Sequence, residues 1–142
     1  MTHKPATTAT WRGDMSFDVE LQGHTFLVDA DESVGGSNQG PRPKALLLSA
    51  LAGCTGMDVV SILNKMQMPF DRLTISVEGK LTEEHPKVYG HTTVVYSFWG
   101  DALEEGKINK AVQLSQDRYC GVSATMRGVG EITHQVRLNP RD

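Results

Sequence analysis

From Lys44 to Met66 the chain runs for about six helical turns without a proline, through Leu46, Leu47, Leu48, Ala50, Leu51, Ala52, Met57, Val59, Val60, Ile62 and Leu63. Pro43 stands just ahead of it, where the first turn of a helix accepts proline. These apolar residues cover most of the circumference, which a helix with one wet side would not tolerate. The rest of the chain must therefore wrap a central, largely enclosed rod. Ser49, Thr55, Asp58 and Ser61 interrupt the run and polar segments bound it, which argues against a membrane span. Gly53 and Gly56 each cost a helix about 1 kcal/mol, and close approach of a neighbour accounts for them.

The flanking segments have the rhythm of strands. Thr8 to Arg12, Phe17 to Leu21 and Thr25 to Val28 alternate between β-branched or aromatic residues and polar ones, so residues 1–30 read as an antiparallel meander. Residues 31–43, rich in glycine, serine and proline, form a loop too long to be a mere connector. After the 44–66 helix, residues 70–99 read as a hairpin of two longer strands joined near Glu83-Glu84-His85-Pro86. Residues 103–127 form a second helical region, with Ile108, Ala111, Val112 and Leu114 on one face, a break at Gly121 and a short restart from Val122 to Arg127. A final strand occupies 130–138. This order predicts an α+β fold, and 142 residues suit one domain.

Fourteen basic residues against 17 acidic ones give a net charge of -3, with the basic ones scattered, so no nucleic-acid partner is expected. The first residues lack an apolar leader, which predicts a cytoplasmic protein with no membrane partner. Cys54 and Cys120 are the two cysteines, no CxxC pair exists, and the 5 histidines are dispersed singly. Structural zinc favours short paired spacings, so neither a metal nor an organic cofactor is expected. Gly35 to Gly40 precedes a helix but lacks the GK[ST] ending of a phosphate loop. Trp11, Phe17, Phe26, Phe98 and Trp99 read as core or interface side chains. On context alone, the two thiols are either inert packing or transient redox partners.

Gly40-Pro41-Arg42-Pro43-Lys44-Ala45-Leu46-Leu47-Leu48-Ser49-Ala50-Leu51-Ala52-Gly53-Cys54, with Arg118-Tyr119-Cys120-Gly121-Val122-Ser123 downstream, resembles the OsmC/Ohr family. Cys54 to Leu63 is similar to its YhfA-like branch. The resemblance spans nearly the whole chain and implies an OsmC-like fold, with antiparallel sheets wrapped around long central helices in an intertwined homodimer. It further implies a cysteine-dependent peroxidase of the oxidative stress response that reduces organic hydroperoxides or hydrogen peroxide. Cys54 would attack the peroxide, Cys120 would lie close enough to resolve it, and a cellular dithiol, lipoyl-type or a small thiol, would restore both. In the family's peroxidases a loop arginine and a glutamate near the helix start favour the thiolate. Here Arg42 is the candidate arginine, and Lys44 stands ten residues before Cys54, where the glutamate would be. Lys44 and Arg118 are further candidate cations.

Asp58 lies one helical turn beyond Cys54 on the same face, so it is a candidate polar site residue and a carboxylate that disfavours thiolate formation. Two alternatives follow from a less reactive thiol: a non-catalytic dimer binding a small hydrophobic ligand, and a redox sensor that forms a disulfide without turnover. Thiol reactivity separates them.

Overall fold

A computed structural model describes residues 5–141; residues 1–4, the start of the expected strand region, and Asp142 lie outside the described residues. Although the sequence reads as one domain, the chain divides into two compact units, up to Leu47 and from Leu48 onward.

In the first unit, β1 (Thr7–Gly13), β2 (Ser16–Leu21) and β3 (His24–Val28) pair antiparallel in that order, the expected meander. Gln22 and Gly23 join β2 to β3 with φ of 51° and 82°, the left-handed pair that a two-residue hairpin needs. Trp11 faces Phe17 across β1 and β2, and both stay exposed.

The stretch after β3 is ordered around one buried carboxylate. Asp29 accepts the backbone N–H groups of Ala30 at 2.7 Å and of Ser37 and Gln39 at 3.1 Å each. A Cβ at Gly36 or Gly40 would collide with the carbonyl oxygen of Ala30 or Leu27, so both positions exclude larger residues. These N–H donors, Gln39 foremost, hold the Asp29 carboxyl below the usual carboxylate range. A lowered value in the folded state stabilises the loop above the unfolded carboxyl value of about 4, and this is lost as pH falls through the folded value. Protection factors for the Ser37 and Gln39 amides are expected to collapse only below about pH 4, and to be small at all pH in Asp29→Ala. Retained protection in that variant would rule out the carboxylate as organiser.

All but the first two residues of α1 (Leu46–Lys65) belong to the second unit; the helix is entered through a 3-10 turn at Pro43–Ala45 and lies close to the expected 44–66. β4 (Arg72–Leu81) and β5 (Tyr89–Trp99) form the expected hairpin. α2 (Glu105–Leu114), a π turn at Ser115–Tyr119 and α3 (Gly121–Arg127) follow, then β6 (Glu131–Leu138). The sheet order is β4-β5-β6, and β6 runs parallel to β5. This sheet is therefore mixed rather than wholly antiparallel, because the α2–α3 excursion is the crossover that returns the chain in the same direction.

Val94, Tyr96 and Phe98 alternate inward on β5, opposite Val77, Ile75 and Leu73 of β4. Leu51, Val59 and Leu63 of α1 and Ile108, Ala111 and Val112 of α2 pack in the same core, all fully buried. The other face of the sheet carries Ser76, Glu78, Thr93, Gln135 and Arg137, the polar side of a half-wet sheet.

α1 is not enclosed within a single chain. Its buried residues are Leu51, Thr55, Val59 and Leu63, one stripe at a spacing of four, whereas Met57 is 76% exposed. Ala52, Gly53, Met57 and Val60 line an open apolar groove with Leu73 and Ile75. Gly56 lets the Ile75 side chain close onto the helix, as expected, while Gly53 faces open space. Pro43–Lys65 is long and apolar enough by length and composition to cross a membrane, yet its inner stripe is packed in this core.

Candidate active site around Cys54 and Cys120

Cys54 lies half-buried on α1, with Asp58 one turn further along the same face. Cys120 reaches it from the far end of the chain through a local irregularity. After α2 the helix widens into the π turn Ser115–Tyr119, closed by the Cys120 N–H on the Ser115 carbonyl at 2.8 Å, and Cys120 then becomes the N-cap of α3. A π turn adds one residue to the helical register and turns a different side chain inward, a device frequent at functional sites. Ser115 and Gln116, three and four residues beyond Val112, continue the inward face of α2 and are both buried. The Sγ atoms of Cys54 and Cys120 and a carboxylate oxygen of Asp58 all lie within 4.8 Å of one another. Both cysteines are free thiols, and Cys120 is buried. The Ser123 N–H points to Cys120 Sγ at 3.4 Å.

Behind the sulfurs runs a buried chain of polar groups whose direction the donor inventory fixes. Gln116 Nε2 can only donate, and does so to the Tyr96 hydroxyl at 2.6 Å. At the other end the Asp58 carboxylate only accepts, so Ser115 Oγ spends its one proton on Asp58 Oδ2 at 3.0 Å; Thr55 Oγ1 must then donate to Ser115 Oγ at 2.7 Å, and the Tyr96 hydroxyl to Thr55 Oγ1 at 2.6 Å. Each donor polarises the next, and the chain ends on the carboxylate beside Cys54. Gln116 Oε1 accepts from Ser123 Oγ and from Arg127 Nη2, at 3.1 Å each, and Arg127 also donates to the Gln116 backbone carbonyl. The buried side-chain polar atoms among the described residues are all partnered.

Burial pushes the Cys54 thiol up; the Cys120 sulfur and the Asp58 carboxylate act in the same direction, and the Val122 backbone N–H opposes them. None of these influences is a cation. Burial likewise pushes the Tyr96 phenol up. Arg118 is exposed beside Lys110, Gln113 and Asp117. Lys44 is exposed in the turn before α1. Arg42 belongs to the first unit, where its guanidinium donates to the Gly40 carbonyl at 2.8 Å, Asn38 Oδ1 at 2.9 Å and Asp31 at 3.4 Å. Of the residues singled out in the sequence, the structure thus brings together Cys54, Cys120 and Asp58.

Thr55, Tyr96, Ser115, Gln116, Ser123 and Arg127 escaped sequence reasoning. One signal was available: Ser115 continues the stripe of Ile108, Ala111 and Val112 at helical spacing, so a polar residue occupies a core position.

Residues 36–135 match the family model described as OsmC-like protein. Protein YhfA of Escherichia coli strain K12 is 30% identical over 116 residues, which cover 82% of this chain and 84% of that protein. The crystal structure of a hypothetical protein from Aquifex aeolicus VF5 matches with a TM-score of 0.80 and 27% identity, over 99% of this chain and 100% of the other. An organic hydroperoxide resistance protein from Elizabethkingia anophelis shares the fold, with a TM-score of 0.70 and 20% identity over 98% of this chain and 99% of its own. With the family match spanning α1, both cysteines and most of β6, and a relative aligned over most of its length, this chain belongs to the OsmC-like family.

Proposed function

We propose that the chain is a cysteine-dependent peroxidase that reduces organic hydroperoxides or hydrogen peroxide in the oxidative stress response. The observation that carries this reading is the meeting of two free thiols from distant parts of the sequence, with sulfurs within 4.8 Å. The more accessible Cys54 attacks as thiolate: an S–O bond forms, the O–O bond breaks, and the departing alkoxide or hydroxide takes up a proton. The resulting sulfenic acid is attacked by Cys120, forming the S–S bond and releasing water. A cellular dithiol, lipoyl-type or a small thiol, then reduces the disulfide by exchange. Membership of a family that includes named hydroperoxide resistance proteins supports the assignment. The groups that act on the Cys54 thiol include no cation, neither Arg42, Lys44 nor Arg118, so on this reading the attack is made by a minor thiolate fraction. The protein is proposed to act in the cytoplasm as a homodimer, without nucleic-acid or membrane partners; the open apolar groove on α1 supports pairing with a second copy.

The test is stopped-flow oxidation of the reduced protein by cumene hydroperoxide and by hydrogen peroxide, following free thiols. Oxidation is expected to vanish in Cys54→Ser and to stop at the sulfenic acid in Cys120→Ser. The upward push on the Cys54 thiol favours a second reading, a non-catalytic dimer binding a small hydrophobic ligand. Thiols that stay reduced for minutes in excess peroxide would select it. Disulfide formation without turnover would instead identify a redox sensor.

A further inference from the structure

We propose that reduced Cys54, Cys120 and Asp58 form a site for a thiophilic divalent cation of the Zn2+ class. Two sulfurs and one carboxylate oxygen are a donor set that selects zinc over magnesium or calcium, which take oxygen ligands. Ligand atoms around one tetrahedral zinc, with bonds of about 2.0–2.3 Å, stand about 3.5–3.8 Å apart. The three donor atoms already lie within 4.8 Å of one another, so loading requires only a small inward movement.

Charge argues the same way. When both sulfurs are ionised, three negative groups share one partly buried place. None of the ion pairs among the described residues involves Asp58, and Arg127, the cation of the adjoining network, is held by Gln116. A divalent ion would offset that repulsion. Asp58 is also oriented as metal-binding carboxylates commonly are, by a hydrogen bond from Ser115 Oγ at 3.0 Å, itself anchored through Thr55 and Tyr96. Cys54 and Asp58 are half-buried, leaving one side open for water as fourth ligand. Loading exchanges the two thiol protons for one metal ion and releases them to solvent, with no change of oxidation state. It needs only the reduced trio and no peroxide turnover, so it stands or falls separately from the peroxidase reading.

The experiment is an anaerobic titration of the reduced, full-length protein with Co2+ as spectroscopic probe. Near-ultraviolet sulfur-to-cobalt charge-transfer absorption is expected to saturate at one equivalent and to disappear on adding Zn2+. The band should weaken in Cys54→Ser and in Cys120→Ser. Affinity should fall in Asp58→Asn, and by about 10–100-fold in Ser115→Ala, which removes the hydrogen bond to the ligand. If a variant does not fold by circular dichroism, protection of wild-type Cys54 and Cys120 from alkylation by stoichiometric Zn2+, mapped by mass spectrometry, takes its place. Absence of the charge-transfer band in excess Co2+, absence of Zn2+ protection, or an affinity unchanged in folded Asp58→Asn would overturn the site.

Discussion

Alkylation of Cys54 by iodoacetamide is expected to be slow at about pH 7 and to accelerate about tenfold per pH unit towards about pH 9, with no plateau in that range. The attacking species is the thiolate. Burial on α1 disfavours it, as do the neighbouring Cys120 sulfur and Asp58 carboxylate, so the thiol ionises above its ordinary value. Below that value the thiolate fraction grows tenfold with each pH unit, and the rate follows. Mass spectrometry of the Cys54 peptide, with a chelator present, reads this reaction apart from Cys120. A flat profile would show that a cation already holds Cys54 ionised and that the site is activated in a way the observed contacts do not provide. Asp58→Asn removes one of the opposing charges, so alkylation at about pH 7 should quicken by a few-fold. Peroxide oxidation, which uses the same thiolate, should share this pH dependence.

Gln116→Ala is expected to cost about 2–4 kcal/mol of stability, far more than an ordinary polar-to-alanine change. The Gln116 amide sits at the head of the buried chain. It donates to Tyr96, accepts from Ser123 Oγ, and accepts one arm of Arg127. Tyr96 keeps Thr55 as a partner, and Arg127 keeps the Gln116 backbone carbonyl. Ser123, fully buried, loses its acceptor, and a cavity opens against the core. The midpoint of urea unfolding should fall while its slope stays constant. A loss below about 1 kcal/mol would mean that water or a side-chain shift re-satisfies these groups, and the chain would then not be the rigid support proposed for Asp58.

The secondary elements were legible because their signals are local. Period-two alternation found β1 to β5, and the proline-free apolar run located α1 to within two residues. The expectation of a parallel partner for β5 could not be drawn, since the alternation in Ile132 to Leu138 is the same for either direction. Direction was decided by how the α2–α3 excursion packs back on the sheet. The apolar circumference of α1 was correctly seen to demand cover, but which stripe one chain covers and which it leaves open depended on the positions of β5 and α2.

The site divides along the same line. Cys54 and Asp58 were linked by helix geometry alone, because residues four apart share a face. Cys120 joined them in the residue pattern only through family resemblance, since sequence separation carries no distance. The π turn that leads from α2 to Cys120, and the hydroxyl chain from Tyr96 to Asp58, had no signature beyond one polar residue on an apolar stripe. The sequence by itself determined the elements, the helix that must be buried and the family, because periodicity and motifs are properties of neighbours along the chain. The tertiary structure alone decided which thiol meets which carboxylate and what surrounds them, because burial, hydrogen-bond direction and charge repulsion depend on residues that are distant in sequence and adjacent in space.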